Sequence, residues 1–126
     1  MDYQELTHKI IGCAYSVFNQ LGFGFLESVY RKAMVIELEK ADLKVEEEKS
    51  LQVFYDGIVV GNFSLDLYVE DTIVVELKSV QSMLIEHEVQ LVNYLKGMNR
   101  DVGLLINFGL SGVEVKRKYR EVDRKA

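Results

Sequence analysis

The feature that most constrains the fold is the segment at residues 62–80, NFSLDLYVEDTIVVELKSV, because charged residues stand inside two strand-like runs. Side chains of a β-strand alternate between its two faces. Glu76 and Lys78 therefore share one face, while Val75 and Leu77 lie on the other. The pattern predicts a strand with one apolar face and one face that carries charge.

Asp66 joins the charged face if the turn before this strand has three residues. An antiparallel pair between Val69 and Ile73 leaves such a loop. It also sets Asp66 opposite Glu76, with Cβ atoms ~5 Å apart. A two-residue loop would instead set Asp66 opposite Val75. The register of this hairpin is therefore a testable part of the interpretation.

Two carboxylates side by side on strands repel each other unless a positive charge lies between them. Mg²⁺ and Mn²⁺ are hard cations that prefer oxygen ligands, so either ion suits such a pair. Lys78 can place its ammonium group beside a bound anionic substrate. This set suits a reaction that builds up negative charge, such as phosphodiester hydrolysis. The alternative is a strand with one face in water, where charged and apolar residues alternate for that reason alone.

Length and composition set the broad class. The 126 residues predict a single domain over residues 1–126. Because no apolar stretch of ~18 residues and no signal-peptide pattern occurs, we expect a cytoplasmic protein that does not enter a membrane. Cys13 lies in an apolar helical run and is expected in the core. The net charge of −5 argues against sequence-blind adhesion to nucleic acid, although the basic run at 115–120 could contact phosphates.

Periodicity and turn signals predict the element order α-α-β-β-β-α-β-β. The helices are predicted at residues 3–20, from just after a glycine loop to about 41, and at about 85–98. The strands are predicted around 51–55, at 58–69 after an Asp56-Gly57 turn and with a bulge or bend at Gly61, at 72–80, within 102–108, and at 113–119. The strands before and after the third helix should be parallel. The predicted fold is α/β, with a mixed central β-sheet flanked by helices.

Two predicted helices carry polar residues that could serve a site. Glu27 and Tyr30 share a face at the start of the second helix. Taken in isolation, Glu27 is explained by the helix dipole and Tyr30 by packing. Gln90 and Tyr94 are four residues apart on one face of the third helix. Helical geometry alone does not say whether that face meets the charged strand.

Together, these residues resemble a known family. Asp66, followed on the next strand by Glu76 and Lys78, resembles the core triad of the PD-(D/E)xK nuclease superfamily. The sequence GFLESVY at 24–30 is similar to the signature of the GxxExxY family within it. The sequence QLVNY at 90–94 is similar to the QxxxY helix motif of RecB-type nucleases.

The resemblance covers about residues 5–110 and departs from the superfamily name at Leu65, which stands where that name has proline. It implies a restriction-endonuclease-like core that hydrolyses phosphodiester bonds of nucleic acid, with DNA as the expected substrate. The implied ligands of a Mg²⁺ or Mn²⁺ ion are Asp66, Glu76, the backbone carbonyl of Leu77 and, directly or through water, Glu27. The implied catalytic residues are Asp66, Glu76, Lys78, Gln90 and Tyr94.

The resemblance also implies a role for each of the last three residues. Lys78 would position or deprotonate the attacking water and stabilise charge on the phosphorus centre. Gln90 and Tyr94 would support the metal shell or contact the nucleic-acid backbone.

Two functions remain open from the sequence. The first is a metal-dependent nuclease, acting as a homodimer or within a larger assembly. The second is a non-catalytic nuclease-fold module that binds nucleic acid or a protein partner. The intact set of Asp66, Glu76 and Lys78 favours the first. The negative net charge favours the second, or a partner or second copy that supplies the missing positive charge.

Overall fold

The structure is a computed structural model, and it describes residues 1–120. Its helices and strands are α1 (Tyr3–Leu21), α2 (Glu27–Lys40), β1 (Val45–Tyr55), β2 (Ile58–Val69), β3 (Ile73–Lys78), α3 (Ile85–Met98), β4 (Val102–Gly109) and β5 (Gly112–Tyr119). The five strands form one sheet in the order β1-β2-β3-β4-β5. β3 and β4 are parallel, and the other neighbouring pairs are antiparallel. The predicted element order and mixed α/β fold are confirmed, and residues 121–126 of the predicted domain lie outside the described residues.

Both predicted hairpin turns are present. Asp56 and Gly57 join β1 to β2 with φ angles of 52° and 76°, and a two-residue type I′ turn needs positive φ at both positions. Val69 pairs with Ile73, so the β2–β3 loop has three residues, as predicted. The register of β1 with β2 shifts beside Gly61, which confirms the expected irregularity there.

The sheet separates two apolar cores. α1 and α2 cover one face, where they pack on residues such as Val75 and Leu104. α3 covers the other face, where Leu91 packs with Val74 and Leu105. β3 is therefore buried on both faces, which excludes the alternative of a strand with one face in water.

Cys13 lies in the core formed with α1 and α2, as predicted, and is 8% exposed. None of the helices within residues 1–120 combines the length and the apolar character that crossing a membrane requires.

β3 is shorter than predicted, because the chain leaves the sheet after Lys78. Asn107 on β4 is the register partner of Lys78 and is fully buried. Its Oδ1 accepts from the Val80 backbone N at 3.0 Å, and its Nδ2 donates to the Val80 carbonyl at 2.9 Å and to Glu114 Oε1 at 3.0 Å. A side-chain amide thus replaces a strand partner for Val80 and holds the segment that follows Lys78.

Asn107→Ala is expected to destabilise the protein by about 1–3 kcal/mol, because it removes a fully buried amide and leaves the part-buried polar groups of Val80 without their partner. Urea denaturation measures this change in the free energy of unfolding. Asn19→Ala, at an exposed position of α1, is the matched control and should change stability little. Equal stabilities of the two variants would contradict the role given to Asn107.

Candidate active site

Asp66 lies at a break in the sheet. The pairing of β1 with β2 skips the position that would join Glu48 to Asp66, and Glu48 has a φ of 54°. The pairing of β2 with β3 ends at Leu67 and Val75, one residue short of Asp66. Because it is released from both ladders, Asp66 can direct its side chain into the gap between β2 and β3. The break explains how a carboxylate is accommodated inside an otherwise apolar sheet.

Asp66 and Glu76 are adjacent, as the predicted register requires, but they do not form a regular ladder pair. The Asp66 backbone N donates to Glu76 Oε1 at 3.1 Å, and the Leu77 backbone N donates to Asp66 Oδ2 at 2.8 Å. Each carboxylate thus accepts a hydrogen bond from the facing strand, where the ladder has stopped. These reciprocal bonds engage one oxygen of each carboxylate and fix the two side chains relative to each other.

Glu76 is almost fully buried, with 6% of its surface exposed. This burial, followed by the negative charge of Asp66, raises the pKa of Glu76 from 4.5 to about 8. The hydrogen bond from the Asp66 backbone and the charge of Lys78 act in the opposite direction. Desolvation penalises the charged form of a carboxyl group. At neutral pH this group is therefore stabilised by a proton or by a cation close to it.

Glu27, the first residue of α2, lies beside Asp66. Burial raises the pKa of Glu27, and the charge of Asp66 and a side-chain hydrogen bond with it raise that pKa further. The positive charge of Lys78 lowers it. The structure therefore brings the three predicted acids together, with Asp66 in contact with both Glu27 and Glu76. Lys78 is close enough to lower the pKa of both Glu27 and Glu76.

Tyr30 fixes the loop that presents Glu27 to the site. Its ring is fully buried and stacks on Phe108, with centroids 4.3 Å apart and an interplanar angle of 4°. Its hydroxyl donates to the carbonyl of Gly22 and accepts from the backbone N of Phe25 at 3.4 Å. Tyr30 therefore packs in the core, and its hydroxyl ties both ends of the loop that precedes α2.

Tyr30→Phe is expected to reduce stability by about 1 kcal/mol and to loosen the loop before Glu27, because it removes both hydrogen bonds of the hydroxyl and keeps the stacked ring. Thermal unfolding measures the first effect, and amide hydrogen exchange at Phe25 measures the second. Tyr15→Phe, at a half-exposed position of α1, is the matched control and should change neither. Unchanged exchange at Phe25 in Tyr30→Phe would contradict this role.

α3 brings Gln90 and Tyr94 to the same site. Tyr94 is 7% exposed. Burial raises the pKa of Tyr94, and the charges of Glu76 and Asp66 raise it further, while a hydrogen bond with the Gln90 side chain acts in the opposite direction. The face of α3 that carries Gln90 and Tyr94 therefore meets the acidic residues of β2 and β3, which helical geometry alone could not show.

The family model described as the PD-(D/E)XK nuclease superfamily matches residues 4–120. The chain belongs to this superfamily. The solved crystal structure of SSO0001 is similar in fold, with a TM-score of 0.59 and 20% sequence identity over 77% of this chain and 52% of that one. This chain thus spans about half the length of SSO0001. No curated protein sequence matches it.

Membership of the PD-(D/E)XK superfamily raises the question of a metal ion, since its nucleases generally use divalent metals. The donor chemistry of the site fits such an ion, because Glu27, Asp66 and Glu76 offer only oxygen and two of their carboxyl groups have raised pKa values. The positions of the side chains fit a metal ion less well than their chemistry does. Within residues 1–120, no set of three or more His, Cys, Asp or Glu side chains has the spacing to hold a metal ion.

The role of Arg31 was missed by reasoning from the sequence. Its Nε lies 2.8 Å from Glu47 Oε2 and its terminal nitrogen lies 3.3 Å from Glu48 Oε1. It therefore ties α2 to β1 at the break in the sheet, and its charge lowers the pKa of Glu27. The available signal was its spacing of four residues from Glu27, which places both residues on one helical face.

Most of the basic run at 115–120 is engaged within the fold. Lys118 Nζ lies 3.0 Å from Glu88 Oε1, and a terminal nitrogen of Arg120 lies 2.7 Å from Asp101 Oδ1. Arg117 donates to the hydroxyl of Thr7 at 2.7 Å. Three of the cations that the sequence suggested for phosphate contact are therefore bound to other side chains of the fold.

Proposed function

We propose that this chain is a Mg²⁺- or Mn²⁺-dependent nuclease of the GxxExxY family that hydrolyses phosphodiester bonds of DNA. Membership of the superfamily supports nuclease activity. The observation that carries the proposal is the pair of hydrogen bonds at the break in the sheet, in which Asp66 N donates to the Glu76 carboxylate and Leu77 N donates to the Asp66 carboxylate. Lys78 lies two residues beyond Glu76 on β3. Two carboxylates and an amine on one face match the needs of phosphodiester hydrolysis.

In this proposal, Asp66, Glu76 and the carbonyl of Leu77 hold the ion, and Glu27 is a further acidic ligand. The buried Glu76 supports this assignment, because a cation would offset the cost of its charge. When bound, the ion supplies Lewis-acid stabilisation of the phosphate and a more acidic attacking water. The hydrogen bonds from Asp66 N to Glu76 and from Leu77 N to Asp66 hold the two carboxylates before the substrate arrives.

Lys78 positions the attacking water and balances charge on the phosphate in this proposal. It is partly exposed, so its amine can reach a substrate while its charge still acts on Glu27 and Glu76. Gln90 and Tyr94 hydrogen-bond each other beside the carboxylates. That pair can support the ligands or contact the DNA backbone from the α3 side.

The assignment to the GxxExxY family is supported by separate structural roles for its three motif residues. Gly24 has a φ of 117°, which few residues other than glycine adopt. Glu27 lies beside Asp66, and Tyr30 anchors the loop that precedes Glu27 in the sequence. A motif that combines a turn, an acid and an anchor is consistent with delivery of Glu27 to the site.

A cleavage assay tests the proposed function. Purified protein with Mg²⁺ or Mn²⁺ at low salt is incubated with single-stranded, duplex and branched DNA of one sequence. Asp66→Asn is the matched variant, because the amide oxygen can still accept from Leu77 while the negative charge is lost. Metal-dependent cleavage by the wild type and none by Asp66→Asn is expected. Absence of cleavage in the wild type, or equal cleavage by both proteins, would refute the proposal.

A non-catalytic module that binds nucleic acid or a protein partner is the second candidate. Two observations favour it, namely the incomplete metal spacing within residues 1–120 and the net charge of −5. Retained DNA binding without cleavage in the same assay would select it. A homodimer or larger assembly that supplies positive charge, and a cytoplasmic location, stay predictions that molecular-mass measurement and cell fractionation can test.

A further inference from the structure

A groove of about 360 Å³ opens beside the candidate active site, between the β1–β2 hairpin and α3. Its walls include Val53 and Phe63 on the hairpin and Val89, Asn93 and Tyr94 on the helix. The volume lies within the ~300–1,000 Å³ range typical of small-molecule sites. Gln90 and Tyr94 form the wall that the groove shares with the candidate active site, and its other lining residues have no part in the proposed chemistry. Reasoning from the sequence gave no sign of the groove.

Tyr94 connects this groove to the acidic residues. Its ring contacts that of Phe63, with centroids 5.5 Å apart and planes tilted by 53°. The charges of Glu76 and Asp66 act on its hydroxyl. A group held against Phe63 would therefore be separated from the reacting phosphate by one side chain.

The chemistry of the walls selects against phosphate and in favour of an uncharged aromatic ring. No lysine or arginine lines the groove within residues 1–120, and its one ionisable carboxyl group is that of Glu86. Phe63 is 41% exposed and offers a free ring surface, while the amides of Gln90 and Asn93 can both donate and accept hydrogen bonds. Stacking on an aromatic ring combined with amide hydrogen bonds is the usual way in which proteins bind an unstacked base.

We propose that this groove binds an unpaired nucleobase next to the phosphate to be cleaved, so that the substrate is single-stranded or locally unpaired DNA. The inference rests on the proposed nuclease function and specifies its substrate class. A duplex keeps its bases stacked inside the helix and would leave the groove unfilled. Base stacking also supplies affinity in a chain whose net charge of −5 disfavours binding through phosphate contacts.

Binding without cleavage tests this proposal. In the presence of EDTA, which removes divalent metals, anisotropy measures the affinity of the protein for an oligonucleotide as a single strand and as a duplex. The single strand is expected to bind more tightly. Phe63→Ala should weaken its binding by about 5- to 150-fold, the loss expected for one stacked base. Phe54→Ala, on the same hairpin but outside the groove lining, is the matched control and should have no effect.

A second variant and a spectroscopic signal distinguish loss of base binding from loss of folding. Val89→Trp, at a half-exposed position of α3, would fill the groove and should weaken single-strand binding without lowering the melting temperature. An oligonucleotide that contains 2-aminopurine should lose fluorescence on binding to the wild type, and Phe63→Ala should restore it.

Several outcomes would contradict the proposal that the groove binds a base. Equal affinity for duplex and single strand, no binding of the single strand, or unchanged binding by Phe63→Ala would each exclude it. A change of molecular mass in Phe63→Ala would instead assign the groove to a second copy of the chain. The two proposals fail on different results. If duplex DNA is cut and neither variant changes binding, the nuclease function stands and the base-binding groove does not. If unpaired bases are bound without cleavage, the groove stands and the nuclease function does not.

Discussion

Lys78→Ala is expected to lower the cleavage rate about 100- to 1,000-fold, the effect of removing one group that stabilises charge in the transition state. The loss should appear in kcat, because Lys78 acts on charge that develops during the reaction and not on the bound substrate. The measurement is the steady-state kcat and KM of DNA cleavage with saturating Mn²⁺. The fold should persist, because Lys78 is only partly buried at the end of β3.

Lys9→Ala is the matched control for this experiment, since it removes one positive charge from an exposed position of α1. It should leave the rate close to that of the wild type. If Lys78→Ala also cleaves at the wild-type rate, the amine has no part in the chemistry. If it fails only by raising KM, Lys78 binds substrate without assisting the reaction.

Glu76→Gln is expected to stabilise the metal-free protein at alkaline pH. The pKa of Glu76 is raised to about 8 in the folded protein from 4.5, so the folded state holds a proton that the unfolded state has lost between these values. The wild type should therefore lose stability as pH rises from about 4.5 through about 8, by about 1.4 kcal/mol for each unit of the pKa difference. Glutamine keeps the oxygen that accepts from Asp66 and removes the ionisation.

Thermal unfolding in EDTA at pH 5 and pH 9 measures this effect. The melting temperature of Glu76→Gln should exceed that of the wild type at pH 9 and be close to it at pH 5. Glu39→Gln, on the exposed side of α2, is the matched control and should follow the wild type at both values. The same difference in melting temperature between wild type and Glu76→Gln at pH 5 and at pH 9 would show that Glu76 ionises in the folded protein without the expected penalty.

The architecture could be predicted from the sequence because short-range signals fix it. Alternation in β3, the Asp56-Gly57 turn and the three-residue loop after Val69 together determine the register that brings Asp66 near Glu76. These signals depend on a few neighbouring residues, so a single sequence contains them. The parallel pairing of β3 with β4 likewise follows from the intervening helix.

The details of the site could not be predicted, because they depend on contacts between distant elements. The positive φ of Glu48 and the break at Asp66 occur where Arg31 of α2 binds β1, and no local pattern marks them. Asn107 stands within an apolar run, and its role became visible only when Val80 was placed beside it. Likewise, the position of Tyr94 beside the acids depends on how α3 packs on the sheet.

The central claim is that Asp66 and Glu76, with Glu27, hold a divalent metal ion. Titration of the wild type and of Asp66→Asn with Mn²⁺ by calorimetry at neutral pH tests it most directly, because binding is measured without any substrate. We expect the wild type to bind Mn²⁺ and Asp66→Asn to bind it at least about tenfold more weakly, since a charged ligand has been removed. Equal binding by the two proteins, or no binding by the wild type, would contradict the claim.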